Sequence, residues 1–134
     1  MKTFLDSGVL LAGWRRTVIA DAALRVMTDE TREFYTAQLV KLETLPKARH
    51  EKNRHEQEFY ETYFGQTVQC EPLSEALGND AEELAIRYGL AGPDALQIAA
   101  AIRQGVTEFI TSEKPGKPMF RVKEIRVVSL YSTA

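Results

Sequence analysis

The stretch whose reading decides the fold is residues 92–113, GPDALQIAAAIRQGVTEFITSE. Pro93 suits the first position of a helix, where its missing N–H costs nothing, and the apolar run of residues 95–102 stops at Gly105. The small residues predict a buried helix with Asp94 in its first turn. Val106, Phe109 and Ile110 then read as a short core strand, with Thr111, Ser112 and Glu113 following at its carboxyl end, where open α/β sheets bind ligands. Two carboxylates, Asp94 and Glu113, therefore converge on one sheet edge.

Working outward, Thr3, Phe4 and Leu5 predict a strand that runs into Asp6, with Ser7 as the cap of a helix carrying Val9, Leu10, Leu11 and Trp14. Val18, Ile19, Ala22, Ala23, Val26 and Met27 repeat at helical spacing. A second strand is expected at residues 33–35, followed by a helix capped by Thr36 and carrying Leu39, Val40, Leu42 and Leu45. Glu43 lies on or beside the core-facing stripe of that helix, where an unpaired carboxylate is expensive. Pro46 predicts a break just beyond it, after which the basic run Lys47, Arg49, Lys52 and Arg54 is expected to leave the body of the domain.

The aromatic residues Phe59, Tyr60, Tyr63 and Phe64 share a helical face that reads as core or dimer interface. A strand at residues 68–71 is followed by a long helix from the Ser74 cap, weakened around Gly78 and Asn79 and stopped at Gly89. A loop at residues 114–120 and a last strand at residues 125–130 complete the chain. Strands alternating with helices predict a mostly parallel sheet covered on both faces, a three-layer α/β/α sandwich in a single domain, 1–134. Right-handed crossovers bring the strand tips bearing Asp6 and Glu113 to the same edge.

Composition bounds the function classes. The 134 residues suffice for one core; 44% are hydrophobic and 27% charged, within the globular range and against disorder. A single cysteine, Cys70, excludes an internal disulfide and suits a reducing cytoplasm. No apolar run reaches the roughly 20 residues of a membrane span, and no signal peptide is apparent, so a cytoplasmic location without membrane attachment is expected. The net charge of −2 lacks the basic excess usual in nucleic-acid binders, yet the basic run could contact phosphates without sequence preference. His50 and His55, five apart, read as surface residues.

The combination of FLDSG at residues 4–8, LVKLETLPKA at 39–48, DALQIAAAI at 94–102 and FITSEK at 109–114 resembles the PIN domain, a metal-dependent ribonuclease fold found in many bacterial toxins. The resemblance covers nearly the whole chain. It implies an acidic site of Asp6, Glu43, Asp94 and Glu113, all four catalytic and metal-binding, although the family usually has Asp where Glu113 stands. Four gathered carboxylates raise one another's pKa values unless a cation is present, and oxygen-only ligands suit Mg²⁺ or Mn²⁺. On this reading Asp6 and Asp94 bind metal directly, while Glu43 is a ligand or orients the attacking water. Ser7 and Ser112 are candidate hydrogen-bond donors, and Lys114 a candidate counter-charge.

The resemblance further implies an RNA substrate, a small antitoxin as partner and a homodimer. Two alternatives stand beside it. One is an RNA- or protein-binding module of the same fold with a decayed acidic site. The other, a phosphotransfer enzyme with Asp6 as nucleophile, is poorly served, because Gly8 stands where such enzymes carry a second Asp.

Overall fold

In the computed structural model, which describes residues 1–133, five strands pair in one sheet of order β3-β2-β1-β4-β5, all parallel and flanked by helices. The three-layer α/β/α expectation is met; Ala134 lies outside the described residues. The strands are β1 (Lys2–Leu5), β2 (Glu33–Ala37), β3 (Gln69–Glu71), β4 (Glu108–Thr111) and β5 (Arg126–Ser129). The helices are α1 (Ser7–Arg15), α2 (Ala20–Met27), α3 (Gln38–Leu42), α4 (Leu45–His50), α5 (Arg54–Gly65), α6 (Glu75–Tyr88), α7 (Gly92–Arg103) and α8 (Leu130–Thr133), with a 3-10 turn at Pro118–Arg121.

The central strands β1 and β4 read as continuous apolar runs because both of their faces are covered. Phe4, Leu5, Phe109 and Ile110 are buried, and the Phe4 and Phe109 rings stack at 5.4 Å. From β1 the chain winds outward through β2 to β3, then returns to β4 on the other side of β1 and continues to β5. The direction of winding thus reverses between β1 and β4. The carboxyl edge at such a reversal point is where open parallel sheets form a crevice. Asp6 N–H still bonds to the Ile110 carbonyl at 3.0 Å, so the two strand ends are locked together directly beneath that crevice.

Several local expectations are corrected. Asp6, rather than Ser7, caps α1: its backbone is extended and its carboxylate accepts from Val9 N–H. Thr36 is interior to β2, and α3 starts from Ala37 without a side-chain cap. Val18, read as part of the α2 stripe, precedes the helix and is 90% exposed. The break after Glu43 occurs, but Pro46 opens the new helix α4, where its missing N–H is harmless. Ala48 is buried and Arg49 pairs with Glu61 of α5, so the basic run folds back onto the domain instead of leaving it. Helix α6 passes through Gly78 and Asn79 unbroken and ends at Gly89, whose φ of 70° is a left-handed cap. Leu130 begins α8 instead of ending β5.

Candidate active site

Each of the four acidic residues is delivered to the β1/β4 edge by a different device. Asp6 is the first residue past β1, fixed by its capping bond to Val9 N–H at 3.1 Å and by the Thr111 hydroxyl, which donates to its Oδ2. Asp94 is in the first turn of α7, where the helix dipole favours an anion. Glu113 follows β4 by two residues, its N–H bonded to Thr111 Oγ1 at 3.1 Å. Glu43 is the residue that ends the five-residue α3. The Ser7 hydroxyl donates to its Oε1 at 3.1 Å, and the Gln97 amide donates to the same oxygen at 2.7 Å.

Electrostatic coupling links Asp94 to each of the other three. Asp6 is 8% exposed, and its pKa is pushed from 3.8 up to about 7, first by burial and then by the charge of Asp94, against the lowering hydrogen bonds from Thr111 and Val9. Asp94 is half-buried and also raised, by burial first, then by Glu113 and by Glu43. Glu43 and Glu113 are exposed. Among the described residues none of the four has a lysine or arginine within ion-pair distance. Asp94 is thus the link among them, acting on Asp6 and acted on by Glu113 and Glu43.

Among the described residues no three Asp, Glu, His or Cys side chains form a ready-made metal cage. The carboxylates are held by separate donors, Asp6 by Thr111 and Val9, Glu43 by Ser7 and Gln97. The donor set fits a hard divalent cation. It is all oxygen, and the anionic forms of Asp6 and Asp94 are disfavoured in a way that a cation relieves.

Beside Asp94 and Glu113 a cleft of about 270 Å³ opens, walled by Leu90, Lys117, Pro118 and Met119. Lys117 thus places a basic side chain in the cleft wall. Lys114, expected as the counter-charge, instead has its ammonium 5.5 Å from the Tyr131 ring centre. Ser7 acts as expected on Glu43, while Ser112 contributes its backbone N–H to Asp6. Gly8 brings α1 hard against this edge: a Cβ there would meet Ser112 Oγ at 2.0 Å and Asp6 Oδ1 at 3.3 Å. His50 and His55 are exposed, as expected. Gln97 and Thr111 were missed, although a lone polar residue inside the run ALQIAAA is itself a signal, since a buried amide needs partners.

The PIN domain family model matches residues 3–114. The chain belongs to the PIN domain family. Solved structures agree on the fold. A VapBC2 assembly from Rickettsia felis, bound to a DNA fragment from its promoter, superposes at TM-score 0.71 with 12% identity, over 96% of this chain and 98% of the other. A toxin–antitoxin complex from Klebsiella pneumoniae gives TM-score 0.71 and 19% identity over the same shares. VapC20 from Mycobacterium tuberculosis, a sarcin–ricin loop cleaving toxin, gives 0.67 and 18%, over 92% of this chain and 98% of that one. No curated protein matches in sequence. Among the described residues of this PIN domain no helix is long and apolar enough to cross a membrane.

Proposed function

We propose that this PIN domain is an Mg²⁺- or Mn²⁺-dependent ribonuclease that hydrolyses RNA phosphodiester bonds at the β1/β4 edge, as the toxin of a toxin–antitoxin pair. One observation carries the reading. Asp6 and Asp94 are both held with their anionic forms disfavoured, and among the described residues neither is in an ion pair with a lysine or arginine. Membership of a family that is typically nucleolytic and generally metal-dependent supports it.

Asp6 and Asp94 would hold the ion, with Glu43 and Glu113 completing its surroundings. A divalent ion supplies, when bound, Lewis-acid stabilisation of the charge that grows on the phosphate. The chain's own residues do the rest. Ser7 and Gln97 both occupy Glu43 Oε1, so Oε2 is the oxygen that accepts a proton from the attacking water. Lys117, in the cleft wall, offsets phosphate charge. Lys52 and Arg54, exposed and without ion pairs among the described residues, extend a track for RNA phosphates, whereas Lys47 and Arg49 are paired with Glu51 and Glu61. A small antitoxin and a homodimeric, cytoplasmic state complete the proposal. The Rickettsia and Klebsiella neighbours, described as toxin–antitoxin assemblies, support the partner, and the loop-cleaving Mycobacterium neighbour supports RNA as substrate.

The test is an RNA cleavage assay in Mn²⁺. Asp6→Asn and Asp94→Asn should each lower the rate about a thousandfold, roughly 4 kcal/mol of barrier; activity equal to wild type in both variants sinks the proposal. The missing preformed cage and the Glu at position 113 favour one second reading, a decayed site that binds without cutting. An inert wild type whose Glu113→Asp variant cleaves would decide for it.

A further inference from the structure

We infer that Gln97 is a positioning residue of the acidic site, holding the Glu43 carboxylate in its working orientation through a neutral grip shared with Ser7. The inference rests on the reading of this edge as a metal-dependent site.

Gln97 lies three residues after Asp94 on α7, hence on the same face one turn deeper, and is 4% exposed. Every polar atom of its amide is used. Nε2 donates to Glu43 Oε1 at 2.7 Å and to Ser7 Oγ at 3.3 Å, while Oε1 accepts from Ser7 N–H at 3.2 Å. The amide cannot be turned around, because its oxygen would then face a carboxylate and its NH₂ group a backbone N–H. Ser7 Oγ adds its own bond to Glu43 Oε1. One side chain thus ties together the start of α1, the end of α3 and the interior of α7.

Glu43 needs this support more than its three companions. It is exposed, it sits at the carboxyl end of a helix where the dipole opposes an anion, and it precedes the Pro46 break. Left alone, its carboxylate would turn to water. The chemistry of the grip matters as much as its presence. Elsewhere in the chain buried carboxylates are held by guanidinium groups: Arg103 holds Glu71, and Arg32 holds Glu108. A cation on Glu43 would cancel the charge that the site needs and would compete with a metal. An amide and a hydroxyl fix the carboxylate while leaving its charge intact.

A merely structural role is the competing account, since Gln97 also satisfies the Ser7 N–H in the first turn of α1. The two separate in a double-mutant cycle read by Mn²⁺ titration calorimetry rather than by activity. Gln97→Met keeps length and apolar body but removes the donor. It should weaken Mn²⁺ binding about tenfold in the wild-type background, the lower end for groups that orient metal ligands, and less than twofold in Glu43→Ala. Equal loss in both backgrounds, or no loss in either, overturns the inference while leaving the metal site standing. A wild type that binds no Mn²⁺ sinks the metal reading itself and this inference with it. Should Gln97→Met fail to fold by circular dichroism, Ser7→Ala removes the other donor to the same oxygen and runs the same cycle, with about threefold expected. In the metal-free protein the Gln97 side-chain amide resonance should shift when Glu43 is replaced by Ala; an unmoved resonance speaks against the grip.

Discussion

Glu108 and Asp6 stand at opposite ends of two hydrogen-bonded parallel strands, β4 and β1, and both are buried. At the amino edge Glu108 is 4% exposed and ion-paired to Arg32. Thr3 donates to it at 3.1 Å, and Arg32 is braced in turn by Thr3 Oγ1 and by Asp29. At the carboxyl edge Asp6 receives neutral donors, from Thr111, Val9 and Ser112, and the charge that acts on it is that of another carboxylate, Asp94. One edge has its charge balanced within the chain. The other has no such partner, and its carboxyl is held with the anionic form disfavoured at the edge where a parallel sheet has room for a ligand. The contrast separates two buried acids, one held by a guanidinium and one held only by neutral donors; the proposed function rests on the second.

Removing the balance from the amino edge should give the largest effect on stability. Arg32→Met strands Glu108 as an unpaired buried charge and should cost about 3–5 kcal/mol in chemical denaturation. The same measurement on Asp6→Asn, in EDTA at pH 8, should move the other way and show a gain on the order of 2–4 kcal/mol. Asn still caps α1, and the displacement of the Asp6 pKa from 3.8 to about 7 sets the upper bound. Two losses of similar size would erase the distinction between the edges.

The pH dependence sharpens the same contrast. The folded protein holds the Asp6 proton more tightly than the unfolded chain does, so this contribution is fully present below about pH 4, is lost as the pH rises to about 7, and is flat above. Melting temperature in EDTA should therefore fall across that window. The fall should be smaller in Asp6→Asn, and Mn²⁺ should stabilise wild type increasingly toward pH 8. A wild-type profile that matches that of Asp6→Asn would remove Asp6 as the titrating group.

Gly8→Ala should have the smallest effect. Its new Cβ drives into Ser112 Oγ beside Asp6, which predicts about 1–2 kcal/mol of destabilisation together with a few-fold weaker Mn²⁺ affinity by calorimetry. An alanine variant with wild-type affinity would show that the carboxyl edge tolerates crowding as the surface does.

The fold was legible wherever one residue's local chemistry carries its own meaning. Pro93 and Gly105 delimit α7, Gly89 ends α6, and the apolar runs of β1 and β4 declare strands covered on both faces. Asp6 and Asp94 were legible because a strand end and a helix start are positions that the chain itself defines. Val18 and the basic run after Pro46 misled, because apolar or charged character tells which residues favour burial but not which way the backbone turns before them. Gln97 was visible as the odd polar residue in a small-residue helix, yet its partners, 90 residues back at Ser7 and 54 back at Glu43, are not.

The order of elements, the parallel sheet and the positions of two acids at element ends follow from patterns a few residues long, because hydrogen-bond geometry and side-chain periodicity act locally. Which carboxylates meet a cation within the chain and which are left to one another was decided only in three dimensions. The reason is that electrostatic energy depends on separation and solvent access, and folding sets both for residues as far apart in sequence as Thr3 and Glu108 or Asp6 and Asp94.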